Sequence, residues 1–136
     1  MIPKFNFEFT FEGILFRIIA SPGIYLFNGL SGIGKTFLYR AFVSEFVGGN
    51  HSLYAITYDE WDRGLRLDKA DLDECEIIML DRVDMYNDLP KEQIEELAKT
   101  KAIFLDFKEI PYGYFDSYTG YIAIQRLKNE IRVACA

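Results

Sequence analysis

The chain has 136 residues, half of them apolar and 26% charged, with a formal net charge of −6. That length and apolar share suit one domain with a core of its own, and twelve Phe and nine Tyr exclude a disordered chain. The acidic balance speaks against a nucleic-acid surface, which needs a basic stripe, and no apolar run approaches a membrane span in length.

Phe5, Phe7, Phe9 and Phe11 alternate with Asn6, Glu8, Thr10 and Glu12, a period of two that predicts a strand. Glu12-Gly13 reads as a tight turn and residues 14–19 as the returning strand of a hairpin. The start, Met1-Ile2-Pro3-Lys4, has no signal-peptide shape. Ser21-Pro22-Gly23 makes a further turn into Ile24-Tyr25-Leu26-Phe27, a short apolar strand.

Gly29 to Thr36, G-L-S-G-I-G-K-T, then fits the phosphate-loop pattern G-x-x-x-x-G-K-[ST] without a mismatch. Glycines let the backbone wrap a polyphosphate with its N–H groups turned inward, at the mouth of a helix whose dipole favours anions. The expected nucleotide contacts are Gly29, Leu30, Ser31, Gly32, Ile33, Gly34, Lys35, Thr36 and Phe37. Lys35 is expected to reach the β- and γ-phosphates, and the Thr36 hydroxyl to complete a Mg²⁺ site.

Residues 35–46 carry apolar side chains at Phe37, Leu38, Ala41, Phe42 and Phe46, one face of a helix that stops at Gly48-Gly49. Residues 52–58 form the next expected strand, and 59–74 a polar connection, part loop and part short helix. Glu76 to Asp81, E-I-I-M-L-D, is an uninterrupted apolar run suited to a parallel strand covered on both faces. Its Asp81 would stand at the sheet edge, where a carboxylate holds Mg²⁺ in a nucleotide site.

Asp88-Leu89-Pro90 opens a helix with Ile94, Leu97 and Ala98 buried and Glu92, Glu95 and Glu96 turned to water. Residues 102–107, A-I-F-L-D-F, repeat the apolar-then-aspartate form, so Asp106 could reach the same edge. A Tyr-, Gly- and Ser-rich segment follows from 111 to 120. Residues 121–127 and 130–135 around Lys128-Asn129 then read as a second hairpin. Cys75 and Cys135 lie far apart without metal spacing, so two reduced thiols in a cytoplasmic protein are expected.

With G-L-S-G-I-G-K-T as Walker A and I-I-M-L-D as Walker B, the chain resembles a P-loop NTPase over most of its length. The strand at 52–58 between the motifs is similar to the additional-strand branch, which includes ABC and AAA+ ATPases. The hairpins at both ends resemble a minimal ABC-type core. The resemblance implies a single nucleotide-binding domain over 1–136, an α/β fold in three layers. Its sheet would be mainly parallel, with antiparallel hairpins at the N- and C-terminal ends. It also implies ATP and Mg²⁺ as cofactors, Thr36 and Asp81 as metal ligands, and Lys35 and Asp81 in the catalytic set, to which the chain's own sequence adds Asp84 as a candidate.

The chain departs from that branch in lacking an LSGGQ-like signature, the helical subdomain that carries it, and an arginine-bearing C-terminal lid. Residue 82 is Arg where the branch has its water-activating glutamate, and a guanidinium does not give up its proton. Asp84, Asp59, Glu60 and Asp106 are the substitute carboxylates. The absence of an N-K-x-D motif favours ATP over GTP.

Three functions follow in rank. First is a Mg-ATP-binding protein that hydrolyses slowly or needs a protein partner or a second copy to complete its site. Next is a non-catalytic nucleotide-gated interaction module using Tyr112, Tyr114, Phe115 and Tyr118. Last is a nucleotide or metabolite kinase with Arg63 and Arg66 over the phosphates.

Overall fold

The computed structural model describes residues 5–27, 34–65, 67, 72–83, 91–107 and 118–135. Of the residues singled out above, Met1, Ile2, Pro3, Lys4, Gly29, Leu30, Ser31, Gly32, Ile33, Arg66, Asp84, Asp88, Leu89, Pro90, Tyr112, Tyr114 and Phe115 lie outside that set.

The chain opens with the expected hairpin, β1 (Phe5–Phe11) and β2 (Ile14–Ala20), turning through Glu12 and Gly13 at positive φ. Then follow β3 (Gly23–Phe27), α1 (Lys35–Val47), β4 (Leu53–Ile56), the short α2 (Tyr58–Asp62) and β5 (Ile77–Leu80). α3 (Lys91–Leu97), β6 (Ala102–Leu105), β7 (Gly120–Arg126) and β8 (Glu130–Cys135) complete the described elements.

Among the described residues eight strands form one sheet in the order β1-β2-β8-β7-β3-β6-β5-β4. β7-β3-β6-β5-β4 run parallel, as do β2 and β8, while β1/β2 and β7/β8 are antiparallel. The fold is α/β, but the mainly parallel sheet expected from the sequence is corrected to a mixed one. The C-terminal hairpin is also not marginal. It enters between β3 and β2, and pairing both of its outer edges leaves only β1 and β4 as edge strands among those described.

Alternation along the central strands sorts their side chains into two cores. Tyr25, Ile77, Met79, Ala102 and Phe104 face one side, where α1 packs through Leu38, Ala41 and Phe42. Ile24, Leu26, Ile78, Leu80, Ile103 and Leu105 face the other, against Trp61 of α2 and Ile94 of α3. Burial of each large apolar side chain contributes about 2 kcal/mol.

The sheet curls so that the N-terminal hairpin also reaches α1. Phe37 packs against Phe11 and Phe16 with ring centroids 5.2 and 5.6 Å apart. Arg40 lies over the Phe11 and Phe37 rings and donates to Glu12 Oε1 at 2.9 Å. The four phenylalanines of β1 thus pack on the core side of the hairpin, with Asn6, Glu8 and Thr10 turned outward.

Candidate functional site

Two aspartates end neighbouring parallel strands. Leu80 pairs with Leu105 across β5 and β6, so the next residues, Asp81 and Asp106, leave the sheet side by side. Because Leu80 and Leu105 face the α2 and α3 side, the period of two turns both aspartates toward α1. Lys35 is the first residue of α1. Lys35, Thr36, Tyr39, Met79, Asp81, Arg82 and Asp106 line one cavity of about 170 Å³.

Gly34 caps α1 in the left-handed region, at φ 105°, and its carbonyl accepts the first helical hydrogen bond from Leu38 N–H at 2.8 Å. Among the described residues, a Cβ there would meet only Ile124 Cγ2, at an ordinary 3.9 Å. The glycine is favoured there by its backbone angle. The ring of Phe37, expected among the nucleotide contacts, packs into the aromatic cluster with Phe11 and Phe16.

Lys35 Nζ donates to Asp106 Oδ1 at 2.7 Å, with each side chain only 15% exposed. This is the tightest charge contact described at the site. Asp81 Oδ1 accepts from the Tyr58 backbone N–H at 3.1 Å, which ties the end of β5 to the start of α2. Burial raises the Asp81 carboxyl above its usual pKa and the Asp106 carboxylate adds to the rise. The Tyr58 hydrogen bond and the Arg82 guanidinium oppose it.

Arg82 takes φ 47°, a left-handed conformation that costs a residue with a Cβ about 1 kcal/mol. The bend lets Asp81 stay in the cavity while Val83 folds back beneath the sheet, its N–H on Asp106 O at 2.8 Å. The arginine side of the bend is exposed.

The cavity's far wall is set by Tyr39, one helical turn beyond Lys35 and therefore on the same face of α1. Its hydroxyl donates to Glu60 Oε1 at 2.7 Å. Glu60 and Thr57 form a capping box at the start of α2, each side chain accepting from the other's backbone N–H. Burial first, and then the Glu60 hydrogen bond, raise the Tyr39 pKa, so the phenol holds its proton to higher pH than usual.

Of the substitute carboxylates, Asp106 lines the cavity and Glu60 is engaged by Thr57 and Tyr39. Asp59 is not among the lining residues described. The sequence marks Asp106 by the apolar-then-aspartate run of β6 but carries no sign of its pairing with Lys35. For Tyr39 the one signal in the sequence is its four-residue spacing from Lys35.

As a cation site, the Thr36 hydroxyl and the Asp81 carboxylate offer hard oxygen donors that suit Mg²⁺, while the Asp106 carboxylate is taken up by Lys35. Among the described residues no three His, Cys, Asp or Glu side chains gather to hold an ion by themselves. The donor set fits a metal whose shell is completed by ligand phosphates and water, the usual habit of Mg²⁺. Cys75 is buried, and burial pushes the pKa of the Cys135 thiol up to about 12. Among the described residues no helix is long and apolar enough to cross a membrane.

Comparison with protein-family models, with curated proteins and with solved structures finds no match to this chain.

Proposed function

We propose that this chain is a P-loop protein that binds Mg-ATP and hydrolyses it slowly or with a partner's help. The observation that carries the reading is the convergence of Lys35, Thr36, Asp81 and Asp106 on one cavity, at the carboxyl ends of parallel strands and the N-terminus of α1. Ligands of α/β sheets bind at that end. Two further features support it. The unbroken G-x-x-x-x-G-K-T pattern runs directly into α1. β6 lies between β3 and β5, the strand order of the additional-strand branch.

In this reading the Lys35 ammonium binds the β- and γ-phosphates, and the first N–H groups of α1 add a favourable dipole. The Thr36 hydroxyl and Asp81 carboxylate hold Mg²⁺, which when bound neutralises charge on the phosphate oxygens. Arg82 follows Asp81 where a proton acceptor would serve hydrolysis, and its guanidinium cannot accept one. That substitution is the ground for slow or assisted turnover. ATP is preferred to GTP because the guanine-reading N-K-x-D motif is missing.

Calorimetric titration of ATP, ADP and GTP with and without Mg²⁺, repeated on Lys35→Ala, tests the proposal. Mg-dependent ATP binding that the variant loses is the expected result. Absence of nucleotide binding to the wild-type chain refutes it.

A further inference from the structure

We infer that Asp106 is a specificity-determining residue of this site, because it competes with the terminal phosphate of the ligand for the Lys35 ammonium. The inference rests on the phosphate-binding reading of Lys35 given above. Its own observation is the ion pair, Lys35 Nζ to Asp106 Oδ1 at 2.7 Å, with both side chains mostly withdrawn from water.

A carboxylate at that distance satisfies the positive charge that an arriving phosphate needs. Asp81, next to Asp106 by strand register, adds a second negative group to the same cavity. A phosphate that takes Lys35 must therefore displace Asp106 and then stand beside its uncompensated charge. The penalty grows with the negative charge brought close to Nζ. It is largest for a triphosphate, smaller for a diphosphate and absent for a monophosphate too short to reach Lys35.

Asp106 is a suitable competitor because its backbone is fixed independently of its side chain. Its N–H donates to Leu80 O at 2.9 Å and its carbonyl accepts from Val83 N–H at 2.8 Å. Replacing the carboxylate thus leaves the strand end in place. Asparagine keeps the size and an oxygen acceptor for Lys35 while removing the charge.

The test is calorimetric titration of ATP, ADP and AMP at fixed Mg²⁺ into the full chain, Asp106→Asn, Asp106→Ser and Lys35→Ala. Asp106→Ser serves as a second charge-removing variant, and thermal melts establish that each is folded. The expected result is ATP binding tightened about fivefold in the Asp106 variants, the scale of one partly exposed ion pair, with a smaller gain for ADP and none for AMP. Equal or weaker ATP binding, or a gain shared alike by all three ligands, overturns the inference. If the wild-type chain binds ATP and Lys35→Ala does not, that failure belongs to Asp106 alone. If neither the wild-type chain nor the Asp106 variants bind any nucleotide, the phosphate-binding reading falls and the inference with it.

Discussion

The parallel half of the sheet, β3 to β6, and the hairpin half, β1, β2, β7 and β8, handle charge in opposite ways. β4, β5 and β6 are four-residue apolar strands, and the charged groups wait until the strand has ended, as Asp81 and Asp106 do. The hairpin strands carry charge along their length on the outward face, where Arg17 lies between Glu8 and Glu130 at 3.8 and 3.2 Å. Those side chains are half exposed for Arg17 and Glu8, and such pairs stabilise little. The comparison shows where chemistry can be concentrated. A strand buried on both faces expels its polar groups to one end, where they meet in a partly dry cavity.

Breaking the buried half has the largest effect. Phe104 has no exposed surface and packs against Tyr25, Phe27 and Phe42 between β6 and α1. Phe104→Ala should cost about 4 kcal/mol, read as a lower midpoint in urea denaturation. Thr57→Ala removes the capping box that holds α2 beside the cavity and should cost about 1 kcal/mol in the same assay.

Asp81→Asn sharpens the contrast from the other side, because the site half carries a stability cost. A carboxyl whose folded pKa is raised binds its proton more tightly in the native state. Its burial cost is therefore fully present at neutral pH, and fades as pH falls through the raised value toward the unfolded one, about 3.9. Asparagine keeps an acceptor for Tyr58 N–H, so the variant should melt higher at neutral pH by under about 1 kcal/mol of stability. That gain should shrink as pH falls through the raised value and be gone only well below the unfolded one. A constant gain across pH would assign the effect to something other than ionisation. Arg17→Gln, in the hairpin half, should change stability by no more than about 0.5 kcal/mol and less still in high salt.

The local pattern of this chain is readable and its long-range pairing is not. The period of two in Phe5–Phe11, the apolar run before Asp81 and the glycines at 48 and 49 each mark an element through its own residues. The insertion of β7 and β8 between β3 and β2 has no such mark, since any amphipathic strand could pair with any other. The site divides along the same line. Lys35 and Thr36 stand in a local motif, and Asp81 ends a recognisable strand. The Lys35–Asp106 contact joins residues 71 positions apart and depends on β6 lying next to both motif strands. The Tyr39–Glu60 bond likewise depends on how α2 folds against α1.

Phosphorus NMR of Mg-ATP, with and without the wild-type chain and its Lys35→Ala variant, addresses the central claim directly. If Lys35 and the mouth of α1 receive the phosphate tail, the β and γ resonances shift more than the α on adding wild-type protein, and stay put with the variant. Unmoved resonances with the wild-type chain, or shifts that survive Lys35→Ala, would contradict the account.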